Sequence, residues 1–270
     1  MSAVELNKLK ARLEELVKSW GLTALKTGTE VEDMSFEEIG LLRDLSRDLI
    51  PLFVKIGGPE ARNDMRELEA IGVDGLIAPM IESVYALRKF IFTLKETLSP
   101  FSYRKLEKGI NLETIDGFRQ MNGILSAPET KELHQITAAR TDLSGSMGVG
   151  PDADQVLEIC STIVTCCREQ GLRTSVGGKI NPGIAGKLID FIRPDTINTR
   201  HMVLDSKASK KDPGNFVLNN LLFEADLYQY LGTVPSRRQK AHQERARIIR
   251  ERLEARDKTG SIITAVGGIA

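Results

Sequence analysis

The feature that most narrows the fold is a regular alternation along the chain. Short runs rich in β-branched residues are separated by amphipathic stretches long enough to cross back over a sheet. The runs are "TALKTG" (23–28), "LFVKIGG" (52–58), "GLIAPM" (75–80), "GINLET" (109–114), "ITAART" (136–141), "RTSVGG" (173–178) and "TINTRHMVL" (196–204). Between them, helical stretches run over 35–48, 60–71, 83–97, 116–134 with a break at Pro128, 153–170 and 182–192. Ser35 followed by Glu38 is a capping box that opens the first of these. Strands alternating with helices imply parallel β-α units with right-handed crossovers. A repeat of roughly 20–37 residues suits a TIM (β/α)8-type barrel. The expectation is a single domain over 1–270, with an N-terminal helix, a barrel over about 22–205 and a C-terminal helical extension over about 214–257. Seven strand runs are found where eight are needed. The eighth is expected to be absent, or hidden before residue 23.

Composition removes several function classes. Lys+Arg and Asp+Glu both number 37, so no global field recruits nucleic acid or an anionic membrane. The segment "SRRQKAHQERARIIRERLEARDK" holds nine Lys/Arg against four Asp/Glu, but no aromatic residue interleaves them. Its Glu/Arg pairs at helical spacing read as a solvated or subunit-packing helix. No apolar run approaches the roughly 18 residues of a bilayer span. The N-terminus lacks the apolar core of a secretory signal, and the expected location is cytoplasmic. Cys160, Cys166 and Cys167 share one helical stretch and read as free thiols on its face. His134, His201 and His242 are scattered, so no zinc site is expected.

In a parallel barrel the chemistry sits where the strands end. Those positions here are Glu30 and Glu32, Lys55 with Gly57 and Gly58 beyond it, Glu82, Glu113, Arg140 with Asp142, Gly177 with Gly178 and Lys179, and Arg200. Burying a charge without a partner costs several kcal/mol, so these groups must face one another, water, a metal or a ligand. Glu113 and Asp142 close successive strands, and neighbouring strands lie about 4.8 Å apart. Two carboxylates so placed can share one divalent cation. With no histidine beside them the choice falls on Mg2+ or Mn2+. Gly57 and Gly58 ahead of a helix start can either hold an anion on backbone N–H groups or only form a tight turn. Glu82 is either a partner for Lys55 or the acid at the start of the next helix.

The segments "GVDGLIAPMIES", "INLET" and "RTDLSGSMG" resemble the HpcH/HpaI aldolase and citrate lyase β-subunit superfamily, metal-dependent, pyruvate-binding TIM barrels. Its members carry a Q-I-E-T strand end and, roughly 26–30 residues later, a G-P-A-D-L-S-x-S-M-G loop. Glu113 and Asp142, 29 residues apart, fall on the two metal-ligand positions. The resemblance covers about residues 22–205. It implies a metal-dependent carbon–carbon lyase or aldolase that stabilises the enolate of a 2-oxo acid such as pyruvate or oxaloacetate. The alternatives are a citrate-lyase-like acyl-thioester lyase or synthase and a metabolite-binding barrel without catalysis. Where the family has an arginine this chain has Lys55, and Arg140 replaces the proline of G-P-A-D and is placed to take over as the clamp. The family's D-G-E-H loop, whose histidine moves a proton, is here "TGTE", which leaves Glu30 or Glu32 as base. Gly57, Gly58, Glu82, Gly177 and Arg200 complete the expected substrate contacts. Relatives pack their C-terminal helices between subunits. The apolar stretch 214–231, with Ile248, Ile249, Leu253 and Ile262 after it, therefore predicts a homo-oligomer, trimer or hexamer, with 214–231 at the contact.

Overall fold

The structure, a computed structural model, describes residues 3–257; Ile262 lies outside them. The chain begins with α1 (Ala3–Ser19), β1 (Leu22–Gly28), α2 (Phe36–Ser46), β2 (Leu52–Lys55), α3 (Arg62–Ile71) and β3 (Gly75–Ala78). It continues through α4 (Val84–Thr97), α5 (Pro100–Lys105), β4 (Glu107–Leu112), α6 (Ile115–Arg119) and α7 (Met121–Ser126), then a 3₁₀ turn at Pro128–Glu132. Next come β5 (Gln135–Ala139), α8 (Arg140–Ser146), α9 (Asp154–Glu169), β6 (Arg173–Gly177) and α10 (Ala185–Lys187), which leads into a π turn. The last elements are β7 (Thr196–Asn198), β8 (Met202–Asp205), α11 (Ser206–Ser209), α12 (Pro213–Leu231) and α13 (Gln239–Asp257). Local chemistry accounts for the boundaries. The Ser35 hydroxyl accepts from Glu38 N at 3.2 Å and Glu38 Oε2 accepts from Ser35 N at 3.0 Å, so the capping box is formed.

The eight strands close in sequence order into a TIM-type α/β barrel, parallel from β1 through β7. The eighth strand is neither absent nor before residue 23, where α1 lies. It is the second half of "TINTRHMVL", which is a tight hairpin rather than one strand. Thr199 N donates to Met202 O at 3.0 Å, and β8 runs antiparallel to both β7 and β1. A turn of three residues contains no Gly or Pro, so periodicity alone reads the hairpin as a single extended run.

Strand alternation separates two environments. Leu25, Val54, Leu76, Ile110, Ile136, Val176 and Ile197 are all buried in the main core. The opposite faces supply Ala24, Phe53, Ile77 and Val203, a separate small cluster that plugs the barrel interior. Phe53 needs the space left by Gly75, where a Cβ would lie 2.4 Å from the ring. Towards the carboxyl ends the same inward faces become polar: Lys26, Lys55, Asn111, Thr137 and Asn198.

Because β8 runs backwards, the chain leaves the barrel at its base and α12 climbs the outside. Phe216 stacks edge-on to Trp20 with centroids 5.5 Å apart, near the start of β1, and Glu224 reaches the β7–β8 turn. The apolar surface of α12 is thereby buried in its own chain, including Phe216, Val217, Phe223, Leu227 and Leu231. This corrects the reason for expecting a subunit contact at 214–231: the helix needs no second copy to cover it. The large apolar side chains left exposed include Tyr85 and Phe92 on α4 and Phe101 on α5. No helix among the described residues is long and apolar enough to cross a membrane.

Candidate functional site

A cavity of about 380 Å³ opens at the carboxyl ends of β1–β7. It gathers Glu32, Lys55, Glu113, Asp142, Gly177 and Arg200 from the expected set, and adds Lys26, Asn111, Thr137, Asn198, Glu224, Arg245 and Arg252. A second hollow of about 440 Å³ lies at the opposite barrel end, around Asp74 and Glu107. There Asp74 is already held by Arg43 at 2.6 Å and by Leu52 N at 2.8 Å, so it is a structural contact.

Glu113 is buried. Its Oε1 accepts from Met80 N at 2.9 Å and its Oε2 accepts from Asn111 Nδ2 at 2.9 Å. Met80 adopts a left-handed conformation (φ 51°) as it makes this contact, a strain that non-glycine residues accept mainly at functional sites. Burial pushes the Glu113 carboxyl above its ordinary range; Lys55 and the two donors oppose this and do not cancel it. Asp142, in the first turn of α8, is half-buried, and among the described residues its side chain has no hydrogen-bond or ion-pair partner. Gly178 (φ 91°) brings β6 against this turn: a Cβ there would sit 2.5 Å from Thr141 N.

The donor set fits one hard divalent ion. Each Glu113 oxygen accepts a single hydrogen bond and keeps a lone pair, and Asp142 is unengaged. No three His, Cys, Asp or Glu side chains among the described residues converge on one point. Protein would therefore supply two oxygens, and water and substrate the others, as Mg2+ commonly requires.

Lys55 Nζ lies 2.6 Å from Glu30 Oε2. Burial alone would lower its pKa, but Glu113, Glu30 and Glu32 outweigh burial and hold the ammonium above its ordinary value. Glu32 folds back over the end of β1, where a Cβ on Gly28 would come within 2.6 Å of its Oε2. Burial raises its pKa, yet Lys26, Lys55 and Arg200 prevail and it remains ionised below the usual range. Lys26 shows the reverse balance, with burial lowering its ammonium despite Glu32 and Glu113.

Five expected residues lie outside the cavity lining: Glu30 meets it only through Lys55, and the other four stand elsewhere. Arg140 does not line the cavity and is no clamp: fully buried, its guanidinium donates to Gly178 O at 2.5 Å, Pro151 O at 3.1 Å and Asp152 Oδ1 at 2.5 Å. It ties the loop after β5 to the end of β6. Gly57 and Gly58 border a separate shallow hollow, and Gly57 N is taken by Asp64 Oδ2 at 2.9 Å. Glu82 accepts from Thr114 Oγ1 at 2.6 Å and does not meet Lys55.

Lys26 was legible as a charge inside an apolar strand, the same signal that marks Arg200. Glu224 was not, because a single acid in "NFVLNNLLFEADLYQYLG" reads as surface. Its Oε1 accepts from His201 N at 2.8 Å, and burial pushes its pKa up to about 7. His201 stays neutral: burial lowers its pKa to about 4, with Nδ1 donating to Lys26 O at 3.0 Å and Nε2 accepting from Tyr228 Oη at 2.7 Å. Between about pH 4.5 and 7 the folded chain keeps a proton on Glu224 that the unfolded chain has released, so stability falls as pH rises. The depressed His201 acts in the opposite direction between about pH 4 and 6.5. Glu224→Gln keeps the acceptor and removes the titration. Its stability relative to wild type is expected to rise by about 3 kcal/mol between pH 5 and 8. Urea unfolding across that range measures it, and parallel curves would show that Glu224 does not titrate there.

No family model matches this sequence, and no curated protein matches it. Solved structures do share its fold. An HpcH/HpaI aldolase from Desulfitobacterium hafniense DCB-2 superposes with a TM-score of 0.60 at 15% identity, over 84% of this chain and 90% of that one. An HpcH/HpaI aldolase/citrate lyase family protein from Burkholderia cenocepacia J2315 gives 0.56 at 12% identity, over 72% and 82%. The citrate synthase SbnG gives 0.52 at 14% identity, over 68% and 78%. At these identities the likeness is one of fold: each of these proteins shares the barrel of this chain.

Proposed function

We propose that this chain is a divalent-metal-dependent carbon–carbon lyase or aldolase acting through the enolate of a 2-oxo acid of the pyruvate or oxaloacetate kind. The observation that carries the reading is the meeting of Glu113, Asp142 and Lys55 in one cavity at the strand ends. It gains support from a fold shared with proteins described as aldolases, a citrate synthase and a citrate lyase family member. Glu113 and Asp142 would hold Mg2+ or Mn2+, which supplies Lewis-acid stabilisation of developing negative charge. Lys55, kept protonated by Glu30, Glu32 and Glu113, places a fixed positive charge beside the substrate carboxylate and enolate oxygen. Thr137 Oγ1 and Asn198 Oδ1 are buried on the cavity wall without a protein partner, and they orient the substrate. Glu32 is ionised and faces the cavity, whereas Glu30 is engaged by Lys55. Glu32 is therefore the base: it takes the C3 proton as the enolate forms and returns it to carbon in the reverse direction.

Deuterium exchange at C3 of pyruvate or oxaloacetate, followed by NMR, is the test. Exchange that requires Mg2+ or Mn2+ is expected. Binding of these acids without exchange would instead indicate a metabolite-binding barrel. Lys55→Met is expected to lower exchange by about 100-fold, a typical loss for one electrostatic group, while Mn2+ affinity stays within about threefold, well under the tenfold that 1.4 kcal/mol represents. Borohydride with pyruvate is expected to trap no adduct. The lowered pKa of Lys26 makes it the amine to inspect, and an adduct there would replace the metal-enolate reading with a Schiff base.

A further inference from the structure

The C-terminal helix is part of the cavity. Arg245, Ile249 and Arg252, spaced four and then three residues apart, lie on one face of α13 and line the mouth of the barrel. The helix is fixed from below: His242 Nε2 lies 2.7 Å from Glu38 Oε1, and Ala246 and Leu253 are buried. The position of these arginines is therefore set by packing and not by their own charge.

The arginines of α13 fall into two kinds. Arg250 reaches Asp226 Oδ1 at 2.5 Å, and Arg247 pairs with Glu244 at 2.6 Å and also with Glu251. Those are ordinary surface pairs. Arg245 and Arg252 have no carboxylate partner among the described residues. Across the mouth, Lys179 also has none, and Arg200 approaches Glu32 only to 3.8 Å. Four cations from three separate elements thus border one opening. The carboxylates that line the same cavity are Glu32, shared with Lys26 and Lys55, Glu224, which accepts from His201 N, and Glu113 and Asp142.

We propose that Arg200, Arg245, Arg252 and Lys179 form a second anion subsite, which binds a terminal phosphate or carboxylate on the molecule that reacts with the 2-oxo acid. Guanidinium groups offer paired donors to either anion. The role of this subsite, in the same cavity as Glu113 and Asp142, rests on the function proposed above. A cavity of about 380 Å³ has room for both groups of a small metabolite. The reacting partner is then an anionic carbonyl compound and not an uncharged aldehyde.

The test titrates full-length protein with inorganic phosphate and separately with acetate, with Mn2+ affinity measured in parallel. The variants are Arg245→Met/Arg252→Met and, as a control on the same helix, Arg247→Met. Saturable binding of phosphate or acetate to wild type is expected, weakened at least tenfold in the double variant and unchanged in Arg247→Met. The anion that binds identifies the group. Mn2+ affinity is expected to remain unchanged in all three proteins, which separates this subsite from the metal centre. Failure of both anions to saturate below 50 mM would overturn the proposal, as would equal affinity in wild type and the double variant. Loss of Mn2+ binding at Glu113 and Asp142 would count against the proposed function and leave the subsite measurement standing.

Discussion

Asp142→Asn and Glu113→Gln are each expected to weaken Mn2+ binding by about 100-fold, or roughly 3 kcal/mol. In the proposed site Glu113 and Asp142 are the two carboxylates that meet the ion, so losing either charge removes half of that contribution. Glutamine relieves the cost of burying the Glu113 charge. But its amide nitrogen faces a donor, Met80 N or Asn111 Nδ2, where a carboxylate oxygen accepted, so no gain in stability is expected in the absence of metal. Asp142 is half-buried and without a partner, so its replacement changes stability little. Isothermal titration with Mn2+ and urea unfolding of the same samples read the two effects separately. Mn2+ affinity within threefold of wild type in either variant would place the ion elsewhere.

Arg140→Met is expected to act on the fold and not on the chemistry. The substitution strips hydrogen bonds from Gly178 O and Pro151 O and frees Asp152. Both carbonyls are part-buried, and a hydrogen bond to a charged donor contributes about 1.5–3 kcal/mol. Asp152 is half in solvent and adds little. A loss of about 3 kcal/mol lowers Tm by about 6–12 °C for a chain of this size. The same bonds tie the Asp142 loop to the end of β6, so Mn2+ affinity weakens along with stability. Wild-type stability combined with a large, selective loss of exchange would return Arg140 to the catalytic role that its sequence position suggested.

The barrel was legible because parallel strands and their crossover helices each leave a periodic apolar trace. The hairpin at 199–201 was missed for a physical reason: two short antiparallel strands joined by polar and bulky residues give the same pattern as one longer strand. Glu113 and Asp142 were legible as cavity residues from strand-end position, since both interrupt apolar runs at the point where a barrel opens its strand ends. Arg140 has the same sequence signal, yet its long side chain turns back to backbone carbonyls, which spacing along a strand does not reveal. Gly57, Gly58 and Glu82 also sit at strand ends, but they face outward into the helical layer. Glu224, Arg245 and Arg252 reach the cavity only because β8 reverses and lets α12 and α13 return to the mouth. Their role depends on a tertiary path that no local pattern encodes.

In the proposed mechanism Glu113 and Asp142 hold the ion against which a 2-oxo acid enolate forms. A crystal soaked with Mn2+ and oxalate, a mimic of the pyruvate enolate, tests this most directly. Anomalous density is expected for one Mn2+ bound by a carboxylate oxygen from each of Glu113 and Asp142, with oxalate chelating the same ion and one oxalate oxygen within hydrogen-bond reach of Lys55 Nζ. Mn2+ bound without either carboxylate, or oxalate seated in the cavity with no metal beside it, would rule out a metal-held enolate at this site.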